Sequence, residues 1–156
     1  MRRMRVYADT SVFGGMLDQE FAEATRLFFD RVSRGEFILV VSTQVLLELS
    51  TAPQPVRDEF ERIGSITTVP VSAQIEKLAD AYLAAGVVGK ASRADALHVA
   101  AATVAGADLI LSWNFKHIVN YSRISRYNAV NVLNGYRSVE VRSPAEVAYG
   151  DESEDF

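Results

Sequence analysis

Asp9-Thr10-Ser11 is the first place in the chain where residue type and position suggest chemistry. The apolar run Val6-Tyr7-Ala8 leads into the aspartate, and a carboxylate just past a buried strand sits on a rigid support at a sheet edge. Hard cations such as Mg²⁺ take oxygen ligands and keep several waters, so one to three carboxylates are enough to hold one. Asp9 could equally cap the segment after it, as in an Asx-turn. Glu48, between Leu46-Leu47 and Leu49, is a further acid, but with Gln44 one turn before it an exposed polar stripe explains both. Asp95 in Ser92-Arg93-Ala94-Asp95 reads as the acid of a capping box favoured by the helix dipole. It also projects outward from a helix start, where it can reach a cation, and the two roles are compatible.

His98 follows Asp95 by three positions on the same helical face and is expected as a core or supporting residue rather than a ligand. His117 reads as a phosphate contact or a packing residue. With two histidines and no cysteine, tri-histidine and thiolate zinc sites, a cysteine nucleophile and disulfides are all excluded. No GxxxxGKS/T, GxGxxG or GxSxG pattern occurs. A phosphotransfer domain with Asp9 as nucleophile needs a second aspartate where Ser11 stands. A receiver domain needs an acidic pair where Tyr7-Ala8 stands.

These residues must be positioned by the elements around them. Residues 5–8 read as a strand ending at Asp9. Apolar residues at helical spacing mark 20–34, closed by Gly35. The continuous apolar run 37–41 suits a strand buried on both faces, and Ser42 caps a helix through Leu49. A helix at 56–63, a strand at 66–69 and a helix from Ser72 through Ala85 follow. Ser92 starts a helix over 93–104, 109–111 is another apolar strand, 125–133 a helix and 138–141 an edge strand. Alternating strands and helices predict an α/β fold with a parallel sheet and helices on both faces. Its site is expected beyond the carboxyl ends of the strands, which puts Asp9 and the Ser112-Trp113-Asn114 segment on one edge. Asp108 precedes its strand and is expected at the opposite edge.

The chain has 156 residues, 49% of them apolar, which fits one domain with a real core. That domain is expected over 1–145, with 146–156 an acidic, disordered tail. The net charge of −4 comes from the tail. Without Asp151, Glu152, Glu154 and Asp155 the body is neutral. Lys116, Arg123, Arg126, Arg137 and Arg142 face only Glu140 in their stretch, a basic segment suited to a polyanion or simply solvated. No apolar run approaches the roughly 20 residues of a membrane span. No signal peptide is read at the N-terminus, and the lack of cysteine fits a cytoplasmic location.

The ordered set Val6-Tyr7-Ala8-Asp9-Thr10-Ser11, Ser42 to Leu49 with Glu48, Asp95-Ala96-Leu97-His98-Val99-Ala100-Ala101-Ala102 and Asp108-Leu109-Ile110-Leu111-Ser112-Trp113-Asn114 resembles the PIN-domain family, in particular VapC-like ribonuclease toxins. The resemblance spans Arg5 to about Ile118. It implies a parallel β-sheet sandwiched by helices, in three α/β/α layers, and Mg²⁺- or Mn²⁺-dependent hydrolysis of RNA phosphodiester bonds. By position, Asp9, Glu48 and Asp95 match the family's first three acids and are the implied catalytic residues and metal ligands. Its fourth acid falls at Asn114, an amide that could coordinate weakly through its carbonyl and leave one metal instead of two. Ser112 matches a position where the family often has a hydroxyl, and Ser11 would orient Asp9 or a phosphate. Lys116, Arg123 and Arg126 would hold the RNA backbone. A small antitoxin and a homodimer are the partners such toxins imply. Asn114 also raises an alternative: a catalytically weak or inactive PIN-like module that binds RNA or protein.

Overall fold

The computed structural model describes residues 2–153. Its five strands are β1 (Met4–Ala8), β2 (Phe37–Ser42), β3 (Thr67–Val69), β4 (Leu109–Leu111) and β5 (Glu140–Arg142). They form one all-parallel sheet in the order β3-β2-β1-β4-β5. Val6 pairs with Leu39 on one side and Leu109 on the other, so β1 is central. Val6, Tyr7 and Ala8 are fully buried, and this two-sided burial is why the strands read as continuous apolar runs.

The helices are α1 (Thr10–Gly14), α2 (Ala22–Ser33), α3 (Thr43–Leu49), α4 (Gln54–Ile63), α5 (Ala73–Ala84), α6 (Arg93–Val104), α7 (Tyr121–Leu133) and α8 (Pro144–Ser153). From β1 the chain steps to β2 and β3, then returns past β1 to β4 and β5. Parallel crossovers are right-handed, so steps in opposite directions place α1–α4 on one face and α5–α7 on the other. α8 packs on α2, and α5 packs on α6 and α7. This is the three-layer α/β/α sandwich. α6 buries Ala96, His98 and the run from Val99 to Thr103. Its three consecutive alanines let a helix buried nearly all round pack tightly. Among the described residues no helix is long and apolar enough to cross a membrane.

Several element boundaries shift from the sequence reading, and three departures matter most. A short helix, α1, starts at Thr10, directly after Asp9. α7 begins at Tyr121 rather than 125, because Asn120 accepts from the Arg123 amide and caps it. Residues 144–153 form α8, where a structureless tail was expected from 146. Ser143 and Glu146 explain it, each accepting from the other's backbone amide as a capping box, with Pro144 at the first helical position. Residues 154–156 of the expected tail lie outside the described residues. Asp108 sits at the far edge as expected, accepting from the Arg2 guanidinium and the Arg5 amide.

Candidate active site

The strand order reverses at β1, so the crevice for a ligand opens between the carboxyl ends of β1 and β4. Asp9 stands there, 4% exposed, its amide bonded to the Leu111 carbonyl. Its carboxylate caps nothing. Oδ1 accepts from Ser11 Oγ at 2.5 Å and Oδ2 from Ser112 Oγ at 2.6 Å. The same two hydroxyl oxygens accept from the Trp113 and Asn114 amides, each at 2.9 Å. Each serine therefore clamps Asp9 to the loop after β4. Their protons are committed to Asp9, so both serines hold the carboxylate. Burial pushes the Asp9 pKa up. His98 and the two hydroxyls pull it back, nearby Asp95 pushes it further, and the result is a raised pKa.

Asp95, in the first turn of α6, adds its charge to the field at Asp9 but is held by other groups. Its Oδ1 accepts from Asn114 Nδ2 at 3.1 Å, and its Oδ2 lies 3.0 Å from His117 Nδ1. The capping box expected with Ser92 does not form. Ser92 Oγ instead lies 3.4 and 3.5 Å from the two ring nitrogens of His117, beside the ring and not in line with either. That geometry makes no serine–histidine nucleophile pair. The Asn114 carbonyl oxygen accepts from the Lys116 and His117 amides at 3.2 and 2.9 Å. Both its lone pairs are taken and its NH₂ faces Asp95. As it stands, Asn114 holds Asp95 through its NH₂.

Glu48, half-buried on α3, ends a chain of hydrogen bonds through the core. Oε1 accepts from Thr10 Oγ1 and lies 2.7 Å from His98 Nε2, and Oε2 is 3.3 Å from Gln44 Nε2. On its other side, His98 Nδ1 is 2.8 Å from the Tyr7 hydroxyl, itself 2.8 Å from Ser42 Oγ. Ser42 Oγ accepts from the Gln44 amide, capping α3. With a neutral ring the donors run head to tail: Gln44 N–H to Ser42, Ser42 O–H to Tyr7, Tyr7 O–H to Nδ1, and Nε2–H to Glu48. With a protonated ring the tyrosine proton turns to Ser42. In both states Nε2–H points at Glu48.

Burial pulls the His98 pKa down, but the bond to Glu48 and the charges of Asp9, Glu48 and Asp95 outweigh it, leaving it raised. Burial raises Glu48, and His98, Thr10 and Gln44 more than reverse that, leaving it lowered. All three predicted acids therefore act on one buried imidazole.

The basic residues divide. Arg123 donates to the Lys116 and Val87 carbonyls, and Arg126 to the Gly86 carbonyl at 2.7 Å. Both are engaged in closing the loop after α5. The Lys116 side chain is exposed, and its ammonium has no partner among the described residues.

The donor set is all oxygen, which suits Mg²⁺ or Mn²⁺. Yet among the described residues no three histidine, aspartate or glutamate side chains gather into a group able to hold a metal ion. Glu48 and Asp95 are each turned to a histidine. The chemistry fits a cation held by Asp9 and Asp95, which Mg²⁺ accepts because it binds through one or two carboxylates and retained waters. It does not fit a three-carboxylate cage as the side chains stand. The sequence missed Tyr7, Thr10 and the pairing of His117. Period two along β1 does put Tyr7 on the face of Asp9, and that was the signal for the first.

No protein-family model matches the chain, and no curated protein matches it in sequence. Solved structures do. A chain of VapBC2 from Rickettsia felis, bound to a DNA fragment from its promoter, superposes with a TM-score of 0.59 at 12% identity, covering 90% of this chain and 98% of that one. Mycobacterium tuberculosis VapC20, a toxin that cleaves the Sarcin-Ricin loop, gives 0.52 at 14% identity, covering 86% and 98%. At such identity the likeness is one of fold: the chain has a PIN-domain, VapC-like fold.

Proposed function

We propose that this chain is a metal-dependent endoribonuclease, the toxin of a toxin–antitoxin pair. The observation that carries the reading is Asp9. It is a carboxylate buried at the crevice, oriented by two serines, raised in pKa by burial and pushed further by the charge of Asp95. Strain of this kind clusters at working sites. Asp9 and Asp95 would hold Mg²⁺ or Mn²⁺, which supplies a water of lowered pKa and offsets charge on the scissile phosphate. Asn114 and His117 keep Asp95 aimed. Glu48, fixed and kept ionised by His98, presents Oε2 as the oxygen that orients the attacking water or takes its proton. Lys116 holds the RNA backbone. A small antitoxin that inserts a basic side chain among these acids, and a homodimer, complete the proposal.

The test is cleavage of end-labelled single-stranded RNA in Mn²⁺ by wild type and Asp9→Asn. Cutting that stops in EDTA and falls at least about 100-fold in the variant is expected. Equal cutting by both, or none by either, sinks the reading. None by either favours a PIN-like module that binds RNA or protein without cutting. One observation favours that alternative: Glu48 and Asp95 are each paired with a histidine, and among the described residues no three such side chains gather to hold a metal.

A further inference from the structure

The loop after β4 carries a second feature that the acids do not use. Trp113 is buried and stacks on Phe21 with ring centroids 4.0 Å apart and planes 12° apart. Its indole N–H donates to Thr25 Oγ1 at 2.9 Å. Gly15 closes the cluster from below: a Cβ there would lie 2.5 Å from Thr25 Oγ1 and 2.7 Å from Trp113 Nε1. Phe115 stands on this base. Its ring is 6.0 Å from Trp113 at 66° and 6.2 Å from Phe21. It is nevertheless 48% exposed. Its neighbours in sequence are Asn114, whose amide holds Asp95, and Lys116, whose ammonium has no partner among the described residues.

A flat ring, braced on one side and open on the other, one residue from the acid site and next to a free cation, is the layout that single-stranded nucleic acid uses. Bases stack on aromatic faces while cations track the phosphates. A stack of this kind is open only to an unpaired base, because a paired one is covered by its neighbours. We infer that Phe115 is the stacking platform for one unpaired base beside the scissile phosphate, with Lys116 on an adjoining phosphate. The inference rests on the nuclease reading and adds the form of RNA the site takes and the residue that selects it. The bracing of Trp113 by Thr25, Phe21 and Gly15 keeps the platform in place before RNA arrives, so little ordering is needed on binding.

The experiment uses the full chain carrying Asp9→Asn, so that RNA is bound without being cut, and a short fluorescent oligoadenylate. Phe115→Ala and Phe115→Leu are each expected to weaken binding about tenfold, within the range a lost base stack costs. Phe115→Tyr and Phe115→Trp keep the affinity. The same strand annealed into a duplex responds to none of the four. Trp113, the chain's only tryptophan, changes its emission on binding when Phe115 is present and not in Phe115→Ala. In the cutting enzyme, Phe115→Ala raises KM and leaves kcat unchanged. Leucine binding as tightly as phenylalanine, an equal loss for duplex, or no binding of the oligoadenylate overturns the inference. Binding that depends on Phe115 in a chain that never cuts supports the platform and refutes the nuclease reading. Cutting with an unchanged KM in Phe115→Ala does the reverse.

Discussion

Tyr7→Phe removes one oxygen from the centre of the molecule. The ring stays, fully buried on β1, so packing is unchanged. The hydroxyl touches Ser42 Oγ and His98 Nδ1, both at 2.8 Å and both inside the core. Without it the imidazole nitrogen and the serine proton each lose their partner where water does not reach. A buried orphan costs about 1–3 kcal/mol, and some is returned because the hydroxyl itself no longer needs a partner. The net is about 2–3 kcal/mol, and at roughly 2–4 °C per kcal/mol for a chain of this size the melting point falls by roughly 5–10 °C. Tyr82→Phe is the control, since its hydroxyl bonds Asn131 away from the acids. It loses stability on a similar scale. Only Tyr7→Phe frees His98 to tilt and releases the aim of Glu48, which for an outer partner of a site costs about 10–100-fold in activity. Circular dichroism melts in EDTA and RNA cleavage in Mn²⁺ are the two readouts. A Tyr7→Phe melting point within about 1 °C of wild type refutes the hydrogen-bond chain, by the same scaling. Equal effects of the two tyrosine variants on cleavage refute its link to Glu48.

Asp9→Asn is expected to stabilise the metal-free protein as pH rises. The native pKa of Asp9 lies above its ordinary 3.8, so above that value the unfolded chain sheds the proton first and stability falls with pH. The variant lacks this loss. Its melting point should exceed that of wild type at neutral pH and converge on it below pH 3.8, and a gap that stays constant with pH would contradict the assignment. Arg123→Ala should lower the melting point, because the guanidinium bonds two backbone carbonyls and such charged hydrogen bonds are worth about 1.5–3 kcal/mol each. A variant that melts like wild type but loses RNA affinity would restore it as a phosphate grip. Gly15→Ala tests the aromatic base: its backbone is helical, where alanine usually gains about 0.5–1 kcal/mol over glycine, but contact with Thr25 and Trp113 reverses the sign. A lower melting point and shifted Trp113 fluorescence are expected, and a higher melting point would show that the cluster yields.

The sheet was legible because two-sided burial leaves a strong mark: apolar runs at 37–41 and 109–111 with helical periods between them. What failed was local. α1 follows Asp9 through a Thr-Ser-Val-Phe-Gly segment too short and too rich in poor helix formers to show a period. Asn120 and Ser143 are ordinary caps that look like any loop polar residue until the amide they accept from is in place. The capping box was read at Ser92–Asp95 and formed instead at Ser143–Glu146. The two motifs carry similar side chains, and tertiary partners decide between them. Asp95 finds Asn114 and His117, whereas Glu146, among the described residues, pairs with its own helix start and Arg142.

The acids show the same limit more sharply. Their identity and sheet edge follow from the chain, but their state does not. Ser112 reaches Asp9 across 103 residues and His98 reaches Glu48 across 50. Sequence alone presents three like charges, and three like charges in one crevice imply repulsion that only a cation relieves. The fold answers part of that repulsion itself. Glu48 is paired with a buried histidine whose tautomer is set from the far side by Tyr7, and Asp95 with His117 and an amide where a fourth acid would have added charge. Of the three, Asp9 has no histidine in hydrogen-bond contact among the described residues, and burial leaves its pKa raised. The demand for a counter-charge is therefore concentrated at one residue rather than spread over three. That is why its removal, and not that of Glu48, should separate what holds this fold together from what it does.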